Sequence, residues 1–129
     1  MAKREYVLDA SFLIDHLQGD VRAASMRSII SESTCTISAI THAEVISKFE
    51  RVAKSGVQAD IAVTEICEIL PVGRDSARTA ALLHAQMRLK RPKFSLGDAF
   101  VLALARERKC SLLTTDNDFA GLPEAKVLR

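Results

Sequence analysis

Four acidic residues, Asp9, Glu44, Asp98 and Asp116, stand beside apolar stretches of the sequence. Asp9 and Asp116 each follow a strand-like apolar run, whereas Glu44 and Asp98 lie near the starts of helical patterns. An ionised carboxylate in such a place must be solvated, paired or bound to a metal, because its isolated burial is costly. If the fold brings the four together, they form a hard, oxygen-rich site suited to Mg²⁺ or Mn²⁺.

Such a cluster has a definite chemistry. Neighbouring carboxylates repel one another in a cleft of low dielectric constant, and a divalent cation relieves that repulsion. The cation also lowers the pKa of a bound water and stabilises charge on a phosphate oxygen. A phosphodiester substrate would need the cation, because a bare acidic cleft repels RNA and DNA. The cluster therefore indicates a cation site that is compatible with chemistry at a phosphate.

Each acid also has a purely structural interpretation. Glu44 and Asp98 match the capping-box pattern, each three residues after a threonine or serine. Asp116 is placed to form an Asx turn, and Asp9 to be a turn residue before a helix. Taken singly, the structural interpretation is favoured for each acid. Their shared placement at element edges favours one cation site.

Strand-like and helical patterns alternate along the chain. Predicted strands are 5–9, 34–38, 69–72, 111–115 and 125–128, and predicted helices are 12–17, 21–31, 40–55, 57–68, 75–90 and 95–108. This alternation predicts a parallel sheet covered by helices on both faces. In such sheets, ligands bind beyond the carboxyl ends of the strands, where Asp9 and Asp116 are placed.

Local signals set the expected helix ends. Ser11 is expected to cap the first helix and Asp20 the second, while Gly56 is expected to end the third. The third helix is expected to bury a stripe that includes Ile40 and Ala43.

The bulk properties describe one globular domain. The chain has 129 residues, 48% of them hydrophobic, which fits a single core. Its formal net charge of +2 excludes a wholly basic nucleic-acid-binding surface, so a polyanion would need a local basic patch or bound cations. No apolar run is long enough to span a membrane, and Asp9 interrupts any signal-peptide core, so a cytoplasmic location is expected. Cys35, Cys67 and Cys110 are expected to be buried thiols.

Four segments around the acids resemble the PIN-domain family of nucleases, in the order and at the spacing of that family. They are Val7-Leu8-Asp9-Ala10-Ser11, Ser38-Ala39-Ile40-Thr41-His42-Ala43-Glu44-Val45, Ser95-Leu96-Gly97-Asp98-Ala99-Phe100 and Leu113-Thr114-Thr115-Asp116-Asn117-Asp118-Phe119. The resemblance spans essentially the whole chain, and the size is similar to that of the compact VapC-type toxins of toxin–antitoxin pairs.

The resemblance implies a three-layer α/β/α sandwich with a central parallel sheet of about five strands, as a single domain over residues 1–129. It implies Mg²⁺- or Mn²⁺-dependent endoribonuclease activity, with Asp9, Glu44, Asp98 and Asp116 as catalytic, metal-binding acids. It also implies a homodimer and a cognate antitoxin that holds the toxin inactive, as in type II toxin–antitoxin pairs.

Supporting roles at the site follow from the same resemblance. Ser11 would orient Asp9 or a metal-bound water, and Thr114 or Thr115 would act similarly beside Asp116. Asp118 either joins the site or closes the turn. His16, His42 and His84 are expected at the surface or the edge of the core, so no histidine is expected as a general base.

A basic stretch, Arg88, Lys90, Arg91 and Lys93, precedes the helix of Asp98. One interpretation is a solvated helix end that interacts favourably with the helix dipole. The other is a clamp for RNA phosphates beside the metals. The chain has no Trp and one Tyr, so base recognition by aromatic stacking is expected to be limited.

Several other functions fit parts of the pattern. A phosphorylatable receiver domain would need an acceptor Asp at the end of the third strand, and Ile69-Leu70-Pro71-Val72-Gly73 has none. An inactive PIN-like interaction module would be signalled by loss of an acid, and all four are present. A non-toxin PIN nuclease of RNA processing and a nuclease of DNA both stay open as alternatives.

Overall fold

The computed structural model describes residues 3–129. Its five strands are β1 Arg4–Leu8, β2 Ser33–Ser38, β3 Cys67–Leu70, β4 Ser111–Thr114 and β5 Ala125–Val127. Its six α-helices are α1 Ala10–Leu17, α2 Ala23–Glu32, α3 Ala39–Arg51, α4 Gly56–Ile66, α5 Arg74–Arg88 and α6 Leu96–Arg108, and a 3-10 turn spans Asn117–Phe119. No helix in this described part of the chain combines the length and apolar character needed to cross a bilayer.

The strands form one parallel sheet in the order β3-β2-β1-β4-β5. Successive side chains of a strand point to opposite faces, and the two faces bury different helices. Leu8 and Leu113 pack with α1 to α4 on one face, whereas Val7 and Leu112 pack with α5 and α6 on the other. The expected three-layer α/β/α sandwich with a central five-stranded parallel sheet is confirmed.

Two of the candidate site residues lie at the edge formed by the carboxyl ends of the strands. β1 and β4 are neighbours, with Leu8 opposite Leu113, and the Asp9 N–H donates to the Leu113 carbonyl at 2.9 Å. Asp9 therefore directly follows one central strand, and Asp116 follows its neighbour two residues after Thr114. Parallel strands end at the same edge, so the order of the sheet brings distant parts of the sequence together.

The predicted end of the third helix was wrong. α3 ends at Arg51 because Ala53 takes a left-handed conformation (φ 57°) and the Lys54 N–H donates to the Phe49 carbonyl at 2.9 Å. This is a Schellman-type end, so Gly56 does not end α3. Gly56 is instead the first residue of α4, where its N–H donates to Oε1 of Glu50 at 2.9 Å.

The predicted end of the fourth helix and the bounds of the following strand were also wrong by two residues. Cys67 and Glu68 belong to β3 and pair with Cys35 and Thr36, although the sequence pattern placed them in the helix. The strand ends at Leu70, before Pro71. Pairing with β2 decides this boundary, and such a long-range contact leaves no local signal.

The buried face of α3 differs from the expected stripe. Thr41, Val45 and Phe49 are buried, whereas Ile40 is half-buried and Ala43 is exposed. The predicted stripe was therefore rotated by one residue. Cys35 and Cys67 are buried as expected, while Cys110 is only half-buried.

Candidate metal site

Asp9 is the most deeply buried of the four acids, with 5% of its surface exposed. Its Oδ2 atom accepts hydrogen bonds from two hydroxyl groups, Ser11 Oγ at 2.6 Å and Thr114 Oγ1 at 2.9 Å. These two residues lie on α1 and β4, so the carboxylate is held from both sides of its position after β1. Neither hydroxyl donates to the other carboxylate oxygen, Oδ1.

Backbone groups fix the direction of these hydroxyl bonds. The Thr115 N–H donates to Ser11 Oγ at 3.1 Å, and the Asp116 N–H donates to Thr114 Oγ1 at 2.9 Å. Each hydroxyl thus accepts from the backbone and is free to give its single proton to Asp9. Ser11 was expected to cap α1, but it lies inside that helix, and the residue at the N-cap position is Asp9.

Asp98 is held by the capping box that its spacing predicts. The Ser95 N–H donates to Asp98 Oδ2 at 2.8 Å, and the Asp98 N–H donates to Ser95 Oγ at 3.0 Å. The carboxylate is 9% exposed in the first turn of α6, where the helix dipole favours negative charge. The structural and the functional interpretations of Asp98 therefore describe the same side chain, because Oδ2 caps the helix while the carboxylate also faces the other acids.

Glu44 is placed differently from the sequence expectation. The N-cap of α3 is Ser38, whose Oγ accepts from the Ile40 N–H at 3.2 Å, so Glu44 does not form a capping box with Thr41. Its half-buried carboxylate lies against Gly97 of α6. A Cβ at position 97 would stand 2.9 Å from Cδ of Glu44, closer than packing allows, and would collide with the carboxylate. Gly97 therefore leaves the space that the Glu44 head group occupies.

Asp116 and Asp118 enter the site together through the 3-10 turn. The Asp118 N–H donates to Asp116 Oδ1 at 2.8 Å, which is the Asx turn expected from the sequence. Asp98, Asp116 and Asp118 each offer one carboxylate oxygen, and these oxygens all lie within 4.8 Å of one another. The structure thus groups Asp118, which the sequence left open, most tightly with two of the four predicted acids.

The charges of the acids act on one another. Burial, followed by the charges of Asp9 and Asp98, raises the pKa of Glu44 to about 7. Burial also raises the pKa of Asp98 to about 6, helped by Asp9 and Asp116 and opposed by the hydrogen bonds from Ser95. The pKa of Asp9 is raised by burial and by Asp116, against the hydroxyls of Ser11 and Thr114. Four acids from four segments therefore share one electrostatic environment.

The donor set fits a hard cation. Within residues 3–129, the tight group contains carboxylates and neither a histidine nor a cysteine. His42 is engaged elsewhere, with Nε2 2.7 Å from Oδ1 of Asp60. Carboxylate oxygens without nitrogen or sulfur ligands favour Mg²⁺ or Mn²⁺ over zinc.

The basic stretch before α6 divides into two environments. Arg88, Lys90 and Lys93 are exposed. Arg91 is half-buried, and its Nη1 donates to the Asp118 carbonyl at 2.9 Å, which ties the loop between α5 and α6 to the 3-10 turn. Arg91 therefore supports the backbone at Asp118, whereas Arg88, Lys90 and Lys93 are exposed to solvent.

A further network behind the site was not visible in the sequence. The Thr115 hydroxyl donates to Asp15 Oδ2 at 2.7 Å instead of turning toward Asp116, and Arg22 Nη2 donates to the same oxygen at 3.0 Å. Arg22 also pairs with Asp20 at 2.7 Å and donates to the Leu128 carbonyl at 2.9 Å. Asp20 was expected to cap α2, but its carboxylate binds Arg22, the residue at the N-cap position.

Comparison with known proteins agrees with this fold. A toxin–antitoxin complex from Klebsiella pneumoniae is 25% identical, covers 95% of this chain and 96% of that chain, and superposes with a TM-score of 0.69. VapC20 of Mycobacterium tuberculosis, a sarcin-ricin loop cleaving toxin, is 19% identical, with 96% and 99% of the two chains covered and a TM-score of 0.74. VapBC2 from Rickettsia felis is 15% identical, with 97% and 99% covered and a TM-score of 0.75.

A comparison with curated protein sequences finds no match. The model of the PIN domain, by contrast, matches residues 6–125, which include all four acids and every strand from β2 to β4. Because this match covers most of the sequence, the chain belongs to the PIN domain family.

Proposed function

We propose that this protein is a Mg²⁺- or Mn²⁺-dependent endoribonuclease that hydrolyses RNA phosphodiester bonds. The observation that carries the proposal is the convergence of Asp9, Glu44, Asp98 and Asp116 at one sheet edge, with the pKa of Glu44 and Asp98 raised to about 7 and about 6. Burial and mutual repulsion make it costly to ionise these carboxylates, and a bound divalent cation would offset that cost.

The site residues would have different roles in binding the cation. Asp98, Asp116 and Asp118, whose oxygens lie within 4.8 Å of one another, would supply ligands on one side, and Asp9 and Glu44 on the other. By donating to Oδ2, Ser11 and Thr114 would favour the ionised form of Asp9 and fix the orientation of its carboxylate. A bound divalent cation would supply the activated water and the charge stabilisation at the phosphate. Asp118 thus counts as a member of the site.

Several features support RNA and a toxin role. The PIN domain is a nuclease family, and the Klebsiella pneumoniae chain at 25% identity comes from a toxin–antitoxin complex. Arg88, Lys90 and Lys93 are exposed and precede the helix of Asp98, and on this proposal they would contact substrate phosphates. On this proposal the protein works in the cytoplasm as a homodimer and is restrained by a cognate antitoxin. A housekeeping nuclease of RNA processing would share the chemistry but not the antitoxin.

The test is cleavage of single-stranded RNA by the purified protein with Mg²⁺, with Mn²⁺ and with excess EDTA. Wild type should cleave only with the metals, and Asp9→Asn and Asp98→Asn should each lose cleavage by at least ~100-fold. Asp75→Asn is the matched control, because Asp75 is an exposed acid on α5 whose side chain is 93% accessible. Robust cleavage in EDTA, or by both site variants, would overturn the proposal. A parallel assay with single-stranded DNA separates the two nucleic acids.

The toxin role needs its own experiment. Induced expression of wild type should arrest bacterial growth, and expression of Asp98→Asn should not. Co-expression of the gene product encoded directly upstream should restore growth and co-purify with the wild-type protein. Active nuclease without growth arrest would favour the RNA-processing alternative.

A further inference from the structure

A basic cavity lies at the opposite edge of the sheet from the acids. It has a volume of about 350 Å³ and is lined by four basic side chains, Arg4, Arg108, Lys109 and Lys126, with Glu5 as its acid. Because all strands are parallel, the amino ends of β1, β4 and β5 share this edge just as their carboxyl ends share the other. A strand of this length separates the two edges by roughly 15 Å at ~3.3 Å per residue.

Only one of the four cations is neutralised by an acid. Arg108 binds Oε2 of Glu5 through Nη2 at 2.8 Å and Nε at 2.9 Å, and the same oxygen accepts from the Thr36 hydroxyl at 2.7 Å. Within residues 3–129, Arg4, Lys109 and Lys126 have no carboxylate within 4.0 Å. The cavity therefore carries an excess of positive charge in a protein whose formal net charge is only +2.

Tyr6 holds two of these cations close together. Its hydroxyl oxygen lies 3.4 Å from Nη1 of Arg4 and 3.3 Å from Nζ of Lys126, and the Lys126 ammonium stands 5.1 Å from the centre of the Tyr6 ring. A neutral phenol orders both groups without cancelling either charge. Like charges held at this separation repel, and an anion between them would remove the repulsion.

Lys109 completes the cavity from the end of α6. It occupies the C-cap position in the left-handed conformation (φ 53°), which turns the chain sharply into Cys110 and β4. Ser111, the first residue of β4, adds a hydroxyl donor to the lining. Guanidinium, ammonium and hydroxyl donors around one opening are the groups that bind phosphate oxygens.

We propose that this cavity is a phosphate-binding site, distinct from the acidic site and remote from it. Its ligand is a phosphate group, either of an RNA backbone or of a free nucleotide. In the first case the site anchors the substrate at a distance from the point of cleavage. Phosphate binding in this cavity requires neither a metal nor hydrolysis. It can therefore be tested independently of the nuclease activity.

The test compares two double variants that remove equal charge. Arg4→Gln with Lys126→Gln empties the cavity of two cations, and Arg27→Gln with Lys54→Gln removes two exposed cations elsewhere. Binding of a labelled single-stranded RNA is followed by fluorescence anisotropy in EDTA, so that no cleavage occurs. Binding of adenosine monophosphate and of inorganic phosphate is measured by titration calorimetry in the same buffer.

If RNA is the ligand, the cavity variant should bind it about 5-fold more weakly, with the salt slope reduced by about 1.4 for two lost contacts, while the matched control changes little. If a free nucleotide is the ligand, monophosphate binding should disappear in the cavity variant while RNA binding stays unchanged. The proposal would be overturned if both double variants lost affinity equally, or if the cavity variant bound every ligand as tightly as wild type.

A single variant guards against misfolding of the double variant. Lys109→Asn removes one cavity charge, and asparagine tolerates the left-handed conformation at this position. It should weaken binding of the same ligand by about 2-fold with an unchanged thermal midpoint. Wild-type affinity in this variant, together with a folded but fully binding double variant, would exclude the cavity as the site.

Discussion

Raising the pH should destabilise the metal-free protein. An acid with a raised pKa in the folded state binds its proton more tightly there than in the unfolded chain. The ordinary pKa of Glu44, 4.5, rises to about 7, and that of Asp98, 3.8, rises to about 6. The folded state is therefore favoured fully below pH ~4, and this contribution is lost as the pH rises through about 6 to 7. This is the opposite of the behaviour of a salt-bridged carboxylate.

The size of the effect follows from these values. One pKa unit corresponds to ~1.4 kcal/mol, so the full rise at either residue would represent roughly 3 kcal/mol. Glu44 is half-buried and water reaches its carboxylate, so solvent screening reduces the contribution. We expect about 1–2 kcal/mol from each residue, a fall of about 2–4 kcal/mol in the free energy of unfolding between pH 4.5 and pH 8. In a domain of 129 residues this lowers the thermal midpoint by on the order of 10 °C.

The assay is urea denaturation in EDTA at several pH values, for wild type and for Glu44→Gln. The variant cannot ionise at position 44, so the difference between the two proteins isolates Glu44 from groups of opposite slope. One such group is His16, whose pKa is lowered by burial and by Arg27. Glu65→Gln, an exposed position on α4, is the matched control.

Wild type should lose stability toward pH 8, Glu44→Gln should lose about 1–2 kcal/mol less, and saturating Mn²⁺ should restore wild type by roughly 3 kcal/mol at 100 times its dissociation constant. A difference between wild type and Glu44→Gln that does not change with pH would refute the reasoning about the acid cluster.

Three further substitutions probe the supports of the site. Gly97→Ala should keep or slightly raise the thermal midpoint, because alanine is more favourable than glycine in a helix by ~1 kcal/mol. The same substitution should weaken Mn²⁺ binding about 10-fold in calorimetry, because the new methyl group displaces the Glu44 carboxylate. Unchanged Mn²⁺ affinity would contradict the contact between Gly97 and Glu44. Thr114→Val keeps the shape but removes one of the two hydroxyl donors to Asp9 and leaves the Asp116 N–H without its partner, so denaturation should show a loss of about 2 kcal/mol, and a neutral result would contradict the hydroxyl network. Arg22→Met removes the donor shared by Asp15, Asp20 and the Leu128 carbonyl and should cost about 1–3 kcal/mol, against less than ~0.5 kcal/mol for exposed Arg27→Met.

The positions of Asp9, Asp98 and Asp116 were predictable because they depend on local signals and one rule of topology. The alternation of strands and helices predicts a parallel sheet, and Asp9 and Asp116 follow strands that end at the same edge. The spacing of Ser95 and Asp98 predicts the capping box that the structure contains. None of these inferences needs the exact register of the sheet, so errors of a few residues in helix ends did not affect them.

The contacts that shape the site were not predictable, since they join residues far apart in the sequence. The position of the Glu44 carboxylate depends on the absence of a side chain at Gly97, and the sequence near Glu44 gives no signal of that contact. The Thr115 hydroxyl donates to Asp15, one hundred positions away in the sequence, because α1 packs against β4. The sequence left Asp118 as either a turn residue or a site residue, and its proximity to Asp98 joins residues twenty positions apart.

The proposed function depends on one divalent cation site formed by acids from four segments. The most direct measurement is the anomalous difference density of crystals soaked in Mn²⁺, with crystals of Asp98→Asn as the control. We expect a strong peak among the carboxylates of Asp9, Glu44, Asp98 and Asp116, with Asp118 within reach of the ion, and a weakened peak in the variant. A wild-type crystal with no peak there at saturating Mn²⁺, or with manganese bound only elsewhere, would contradict it.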